Sequence, residues 1–391
     1  MSRLEELIQE LCPNGVEYKP LWFLTIWDKK FNSVDRHKQT KVIKYKYYLA
    51  ADLKGLESQT GDVKILTTSI SDLWTTEEYV KDTMSEGEIV CIPWGGNPVV
   101  QYYSGKFVTG DNRIATSANT SVLSNKFLYY FMQNSISDIA SFYRGSGIKH
   151  PDMAKVLDLM IPVPPLEVQR EIVRILDSFT LLTAELTAEL TARKKQYEYY
   201  RNHLLTYDAS VKVQTLGEVC NISAGGDAPK EVMTKEMTEK FSIPIISNGI
   251  GENALYGYTN IAKINTPAVT IAARGTIGYA EYRDYPYFPI IRLLSAIPKD
   301  TSVVDTKYLY YCLKGKQYSV PMGGIPQLTA PKLKNVKIPV PNIEEQQSIV
   351  DILDRFDSLC NDISIGLPAE IEARQKQYEF YRDKLLSFKQ L

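Results

Sequence analysis

Two kinds of apolar spacing divide this 391-residue chain. Over residues 161–205 the positions Ile172, Leu176, Phe179, Leu186, Leu190, Tyr197, Tyr200 and Leu204 advance by alternating steps of four and three, with Thr183 and Arg193 in the two open slots. That is the seam of a coiled coil. A helix of about 40 residues is about 60 Å long, and one so narrowly apolar needs a partner helix. Residues 338–386 repeat the seam through Ile349, Leu353, Phe356, Ile363, Ile371, Tyr378, Tyr381 and Leu385. There Gly366-Leu367-Pro368 predicts a break or kink, with Pro368 able to restart a helix in its first turn. The other spacing is short and β-like. Runs such as EIVCIP, VVQYYSGKFV, IPIISNGI and AVTIAARGTIGYAEY are punctuated by Gly, Asn, Asp and Pro across residues 20–160 and 211–337. One helical stretch interrupts each segment, at 126–143 and 307–318. A first short helix carries Leu4, Leu7, Ile8 and Leu11 on one face and stops at Cys12-Pro13-Asn14-Gly15.

The two long helical stretches are copies of each other. IPVPPLEVQREIVRILDSF (161–179) and IPVPNIEEQQSIVDILDRF (338–356) share 12 of 19 positions, and ARKKQYEYYRNHLL (192–205) and ARQKQYEFYRDKLL (373–386) share 10 of 14. The globular segments keep fainter traces, KFLYYFM at 126 against KYLYYCL at 307 and GSGIKH (145–150) against MGGIPQ (322–327). A repeat of about half the chain fixes architecture before any single residue is interpreted. The expected fold is α+β. Two similar strand-rich globular domains are joined by two long helices that form an antiparallel coiled coil, with pseudo-twofold internal duplication. The expected boundaries are a helical segment 1–19, a first globular domain 20–160, a first helical spacer 161–210, a second globular domain 211–337 and a second spacer 338–391.

Composition narrows the chemistry. No run of eighteen apolar residues occurs, and MSRLEELIQELC lacks the apolar centre of a signal peptide. The five cysteines lie far apart without a CxxC pair, as expected of reduced cytoplasmic thiols rather than disulfides or a zinc site. The three histidines, His37, His150 and His203, have no spacing of metal ligands or of a catalytic pair. No phosphate-binding GxxxxGK[ST] loop is present, and the glycine pairs 95–96, 225–226 and 323–324 read as turns. No catalytic residues are therefore assigned, and no cofactor or metal is expected in this chain.

Net charge is −1, yet its distribution is uneven. Residues 211–337 hold 15 Lys and Arg against 10 Asp and Glu, whereas 338–391 hold 6 against 10. Residues 28–46 carry seven basic side chains against Asp28 and Asp35. A mean near zero can hide a basic face, which is what a phosphate backbone meets. The candidate DNA-binding residues are Lys29, Lys30, Arg36, Lys38, Lys41 and Lys44 in that segment, then Trp94, Asn97, Arg113, Arg144 and Lys149. In the second domain they are Asn248, Arg274, Thr276, Tyr279, Arg283, Arg292 and Gln327. Arginine reads guanine edges bidentately, Asn and Gln read adenine, and amides beside glycine approach phosphates.

At IPVPPLEVQREIVRILD, IPVPNIEEQQSIVDILD, TAELTAEL, GLPAEIEARQKQYEFYRDKLL and LGEVCNISAGG the chain resembles the specificity subunit of type I restriction–modification systems. The resemblance spans the whole chain and is weakest at 20–120, where LWFLTIWDKKF departs from the LGEV-type opening. It implies two target recognition domains, each docking on one half of a bipartite, asymmetric site in double-stranded DNA. It also implies helices that hold the domains apart and bind two copies of a modification subunit carrying S-adenosylmethionine. A restriction subunit using ATP and Mg would complete the complex, and the specificity subunit itself would catalyse nothing. Under this reading the TAEL repeat at 183–190 sets the gap between half-sites. A different class of function is a scaffold or decoy that binds the methyltransferase without reading DNA.

Overall fold

A computed structural model describes residues 3–208, 210–319 and 326–391. The chain folds as two units that interleave in sequence, Met1–Glu185 with Ile371–Leu391, and Leu186–Glu370. Both crossings fall inside the helical spacers, the first within the TAEL repeat. Each unit thus contains one globular domain and a helical segment from each copy of the spacer.

In the first unit a helix spans Arg3–Leu11, with Leu4 buried and Leu11 exposed. The lead-in Tyr18–Pro20 pairs antiparallel with the exit Met160–Pro162, closing the domain at its base. Between them lies a six-stranded sheet in the order 25–27, 112–117, 85–93, 101–109, 63–66, 73–75. The continuous apolar run Val90–Pro93 lies wholly inside, as such runs predict. The expected helix at 126–143 is two, Asn125–Asn134 and Ile136–Ser141, parted at Ser135. A core including Trp27, Phe127, Ile172, Leu176 and Leu386 joins the domain to both spacer segments of the unit.

The second unit repeats the plan. Val213–Thr215 pairs with Lys337–Pro339 at the base. Two four-stranded sheets follow, 220–224, 293–298, 268–272, 280–283 and 233–234, 255–259, 243–246, 288–289. The helix expected at 307–318 runs only Thr306–Leu313, because the backbone turns extended at Lys314 and Gly315 follows at φ 75°. The divergent opening of the first domain hides a shared shape. Leu21–Leu24 and Leu216–Val219 are both single helical turns, entered by matching bonds from Leu21 N to Leu159 O and from Leu216 N to Val336 O.

The first spacer is one helix, Leu166–Leu204. The second is broken into Ile343–Asn361 and Leu367–Leu385. At the break the Asp362 carboxylate accepts from Ser364 N and Oγ and from Ile365 N. Gly366 is required there, since a Cβ would stand 2.5 Å from Ser358 O. Near each helix start one buried glutamine performs the same task. Gln169 Nε2 donates to Val122 O and Pro164 O while its Oε1 accepts from Ser124 N. Gln346 Nε2 donates to Val303 O and Pro341 O while its Oε1 accepts from Asp305 N. Ser124 and Asp305 cap the KFLYY and KYLYY helices.

Of the seam residues, Ile172, Leu176, Tyr197, Ile349 and Leu353 are buried, and Phe179, Leu186, Leu190, Leu204, Phe356, Tyr378 and Leu385 are half-buried. Ile363 departs from expectation. It lies in the Asp362 turn and is 80% exposed, because the helix that would have carried it inward has already ended. The ring contacts are reciprocal between copies: Phe179 stacks on Tyr381 at 5.5 Å, and Phe356 stacks on Tyr200 at 5.6 Å. In the second unit Phe356 meets Tyr200, and Cys360, one turn on, feels the charges of Lys194 and Arg193, so these segments run antiparallel.

Candidate nucleic-acid interface

Equivalent strands of the two sheets end in equivalent loops. The strand 85–93 pairs with 112–117 through Val90 opposite Ala115, and 268–272 pairs with 293–298 through Val269 opposite Ala296. One residue beyond, Trp94 N donates to Asp111 O at 2.9 Å and Ala273 N to Arg292 O at 2.8 Å. The loops Trp94-Gly95-Gly96-Asn97 and Ala273-Arg274-Gly275-Thr276 therefore occupy the same place on each domain.

In the first domain this loop meets the hairpin around Arg144–His150. Gly96 N donates to Lys149 O, and the His150 ring lies 5.0 Å from that of Trp94 with Nδ1 at 2.7 Å from Trp94 O. Asn97, Arg144 and Lys149 are exposed around it. Arg113 is not part of that surface. It is 3% exposed, and its guanidinium bonds Asp111 Oδ1 and Asn112 O, approaches Asp28 at 3.9 Å and lies 4.1 Å from the Trp94 ring centre. Such a buried cation braces the loop from below rather than touching a ligand. Burial pushes the Asp28 carboxyl up, against the opposing pull of the Ile114 amide and Arg113.

The basic segment begins at that same Asp28. Lys30, Arg36, Lys41 and Lys44 are exposed, and Lys29 is half-buried with its ammonium over the Tyr47 ring. Lys38 is committed to Asp158 at 2.5 Å. A further loop, Thr67–Ser71, which carries no basic or amide side chain to mark it, leans on this region through Asn112 Nδ2 and Gln101 Nε2, both donating to Thr67 O. Its one sequence signal is the hydroxyl-rich TTSIS. The sequence carries no contact signal at Asp111, and at His150 it raises only the metal or catalytic role that the histidine spacing does not support.

In the second domain Asn248 Nδ2 donates to Arg274 O and Thr276 Oγ1 to Asn248 O, which ties two loops together. Leu328 N donates to Ala273 O, bringing exposed Gln327 beside them, and Tyr279 N donates to Thr276 O. Gly275 sits at φ 73°. Arg292, exposed, holds φ 73° and is the one non-glycine residue with positive φ among those described. A strained backbone of this kind persists where the surroundings over-determine it. Arg283 is withdrawn from the surface as Arg113 is. It is 4% exposed and bonded to Thr270 Oγ1, Glu281 and the Tyr285 hydroxyl. Met322–Ile325 of the expected MGGIPQ counterpart, with the glycine pair 323–324, lie outside the described residues.

Fold and loops together define a two-domain recognition protein made by internal duplication. A family model described as the type I restriction modification DNA specificity domain matches residues 37–193 and 209–373, and the chain belongs to that family. It is 35% identical to a putative type I restriction enzyme specificity subunit of Haemophilus influenzae, over 80% of this chain and 86% of that one. It is 36% identical to the EcoR124I/EcoR124II specificity subunit of Escherichia coli, over 71% of this chain and 74% of that one. The fold is also that of a type I system S subunit from M. genitalium, at TM-score 0.63 and 17% identity, with 96% of this chain and 97% of that chain aligned. A structure bearing on assembly of the type I system aligns at TM-score 0.55 and 17% identity, over 96% and 98%. The specificity subunit is the non-catalytic, DNA-recognising member of its complex, and its partners are DNA and the other restriction–modification subunits. Among the described residues no helix is long and apolar enough to cross a membrane, and no acidic, His or Cys cluster suits a metal ion.

Proposed function

We propose that each globular domain reads one half of a bipartite DNA site through its equivalent loop pair. In the first domain the contacting set is Trp94, Asn97, Arg144 and Lys149 flanked by Lys30, Arg36, Lys41 and Lys44. In the second it is Asn248, Arg274, Thr276, Arg292 and Gln327. The observation that carries the reading is the matched placement of the 94–97 and 273–276 loops on two otherwise diverged domains. Similar platforms with different side chains suit two half-sites of different sequence. On this reading the spacer helices dock two modification subunits, which bring S-adenosylmethionine. ATP and Mg belong to a restriction subunit, and this chain holds no cofactor.

The test is methylation mapping. The chain is co-expressed with its modification subunit in a methylation-free host, and the DNA is sequenced with detection of modified bases. The expected result is a single two-part motif with a fixed unspecified gap, of which exchange of residues 20–150 alters one half alone. A purified complex that leaves the DNA unmethylated overturns the reading in favour of a scaffold that does not read sequence.

A further inference from the structure

Each globular domain is fastened to its spacer by the same three side chains. Tyr130 Oη donates to Asp177 Oδ1 at 2.5 Å, and Lys126 Nζ lies 3.3 Å from that oxygen. Tyr311 Oη donates to Asp354 Oδ1 at 2.5 Å, and Lys307 Nζ lies 2.5 Å from Asp354 Oδ2. In both sets the Lys and Tyr stand four apart on the domain helix, hence on one face of it, while the Asp comes from the spacer. Both tyrosines are 1% exposed.

Packing alone does not call for this arrangement. A phenylalanine fills the same volume as a tyrosine, and apolar helix faces accept a spread of crossing angles of about 15–20° either way. A buried hydroxyl bonded to a carboxylate is directional, and it admits one rotation of the domain on the helix. None of these six residues belongs to the loops assigned to DNA.

We propose that Lys126–Tyr130–Asp177 and Lys307–Tyr311–Asp354 are positioning residues that fix each domain on its spacer, and so set how strictly the two half-sites must be spaced. The inference rests on the reading that the domains recognise half-sites. The copies differ in the contacts beside the triad. In the first unit Arg382 Nε of the spacer donates to Asn134 Oδ1 at 3.0 Å, where the corresponding residues of the second are Arg201 and Gly315. Lys314 Nζ pairs with Asp357 at 2.6 Å in the second unit, where the corresponding residues of the first are Gln133 and Thr180. Each triad is thus backed by a further polar contact in its own unit, and loosening either has a comparable effect.

The experiment uses the full chain in complex with its modification subunit and a DNA library carrying the mapped half-sites at the native gap and at one base pair more or fewer. Tyr130→Phe, a change that removes one oxygen and keeps the core filled, is compared with Tyr130→Phe/Asp177→Asn and with Tyr311→Phe/Asp354→Asn. A hydrogen bond to a carboxylate is worth about tenfold in an equilibrium constant. The ratio of methylation at the native gap to that at neighbouring gaps is accordingly expected to fall about tenfold in the double variants, with the bases read in each half unchanged. An unchanged ratio overturns the inference, and so does altered base preference at a retained gap or loss of methylation at every gap. Failure of the wild-type complex to methylate any two-part motif sinks the functional reading instead, which separates the two.

Discussion

The paired glutamines allow a quantitative test, because the fold performs one experiment twice. Gln169 and Gln346 are both 0% exposed, and each satisfies two carbonyls and one amide. The bonds are 2.7, 2.8 and 2.9 Å in the first copy and 2.8, 2.8 and 2.9 Å in the second. Leucine has nearly the same volume and removes all three partners. Each buried polar group left unpaired costs about 1–3 kcal/mol, so either substitution should cost about 3 kcal/mol or more. Against a total stability of about 5–15 kcal/mol the fold survives the change. Urea unfolding of the full chain measures it. All four tryptophans, Trp22, Trp27, Trp74 and Trp94, lie in the first unit. Tryptophan fluorescence therefore follows that unit, while far-ultraviolet circular dichroism follows both. Gln169→Leu should lower the fluorescence midpoint, and Gln346→Leu should lower the dichroism transition by a similar free energy. A loss under about 1 kcal/mol at either site refutes the reasoning, since an unpaired buried amide or carbonyl cannot be that cheap. Clearly unequal losses refute it too, because the two geometries match.

Other outcomes follow from single features. One added TAEL within 183–190 lengthens its helix by about 6 Å and turns its end by about 40°, which at about 3.4 Å per base pair should widen the methylated motif by one to two base pairs without altering either half. A gap unchanged on methylation mapping rules that out. Arg292→Gly relieves a left-handed backbone and should raise stability by up to about 1 kcal/mol, yet weaken recognition of the second half-site by about 1–3 kcal/mol. Melting and a binding titration on mapped DNA check both signs. Hydrogen bonds from the Ser364 hydroxyl and amide hold the Asp362 carboxyl below its usual 3.8. The support it gives the turn is complete above that value and is lost as pH falls through the lowered one. Amide exchange at Ser364 and Ile365 should accelerate in that acidic window in the wild type, whereas Asp362→Asn should show no such step.

What could be read in advance, and what could not, divides by the length scale of the cause. The seam was legible because an apolar residue every three or four positions has one geometric meaning over eleven turns. The break after Asn361 was legible from Gly366 and Pro368, while the loss of Ile363 to that break was not, since a heptad count does not say where a helix stops. Sequence alone places Arg113 and Arg283 on the surface, because arginine in a loop-rich segment is normally exposed. Asp111 and Glu281 are sequence neighbours of these arginines, but only the fold brings Asp28 and Trp94 around the one and Thr270 around the other. The short opening helix Leu21–Leu24 went unseen for the same reason: its position is fixed by Leu159, 138 residues away in the sequence, and no local pattern encodes that.

The internal duplication also acts as a comparison of two sequences under one architecture. Among the residues that match across the copies are Lys126 and Lys307, Tyr130 and Tyr311, Asp177 and Asp354, Gln169 and Gln346, and Phe179 and Phe356. Every one of them joins a globular domain to a spacer segment or one spacer segment to another. Equivalent loop positions keep the turn glycine, Gly96 against Gly275, both at positive φ, but the side chains around it differ: Trp94 stands against Ala273, Gly95 against Arg274, Asn97 against Thr276 and Asp111 against Arg292. Had the domains been kept alike to recognise one repeated half-site, the loops would have stayed as similar as the joints. Unlike loops on like joints are what an asymmetric target requires. At Arg292 the second domain holds a left-handed backbone where the first, at Asp111, does not.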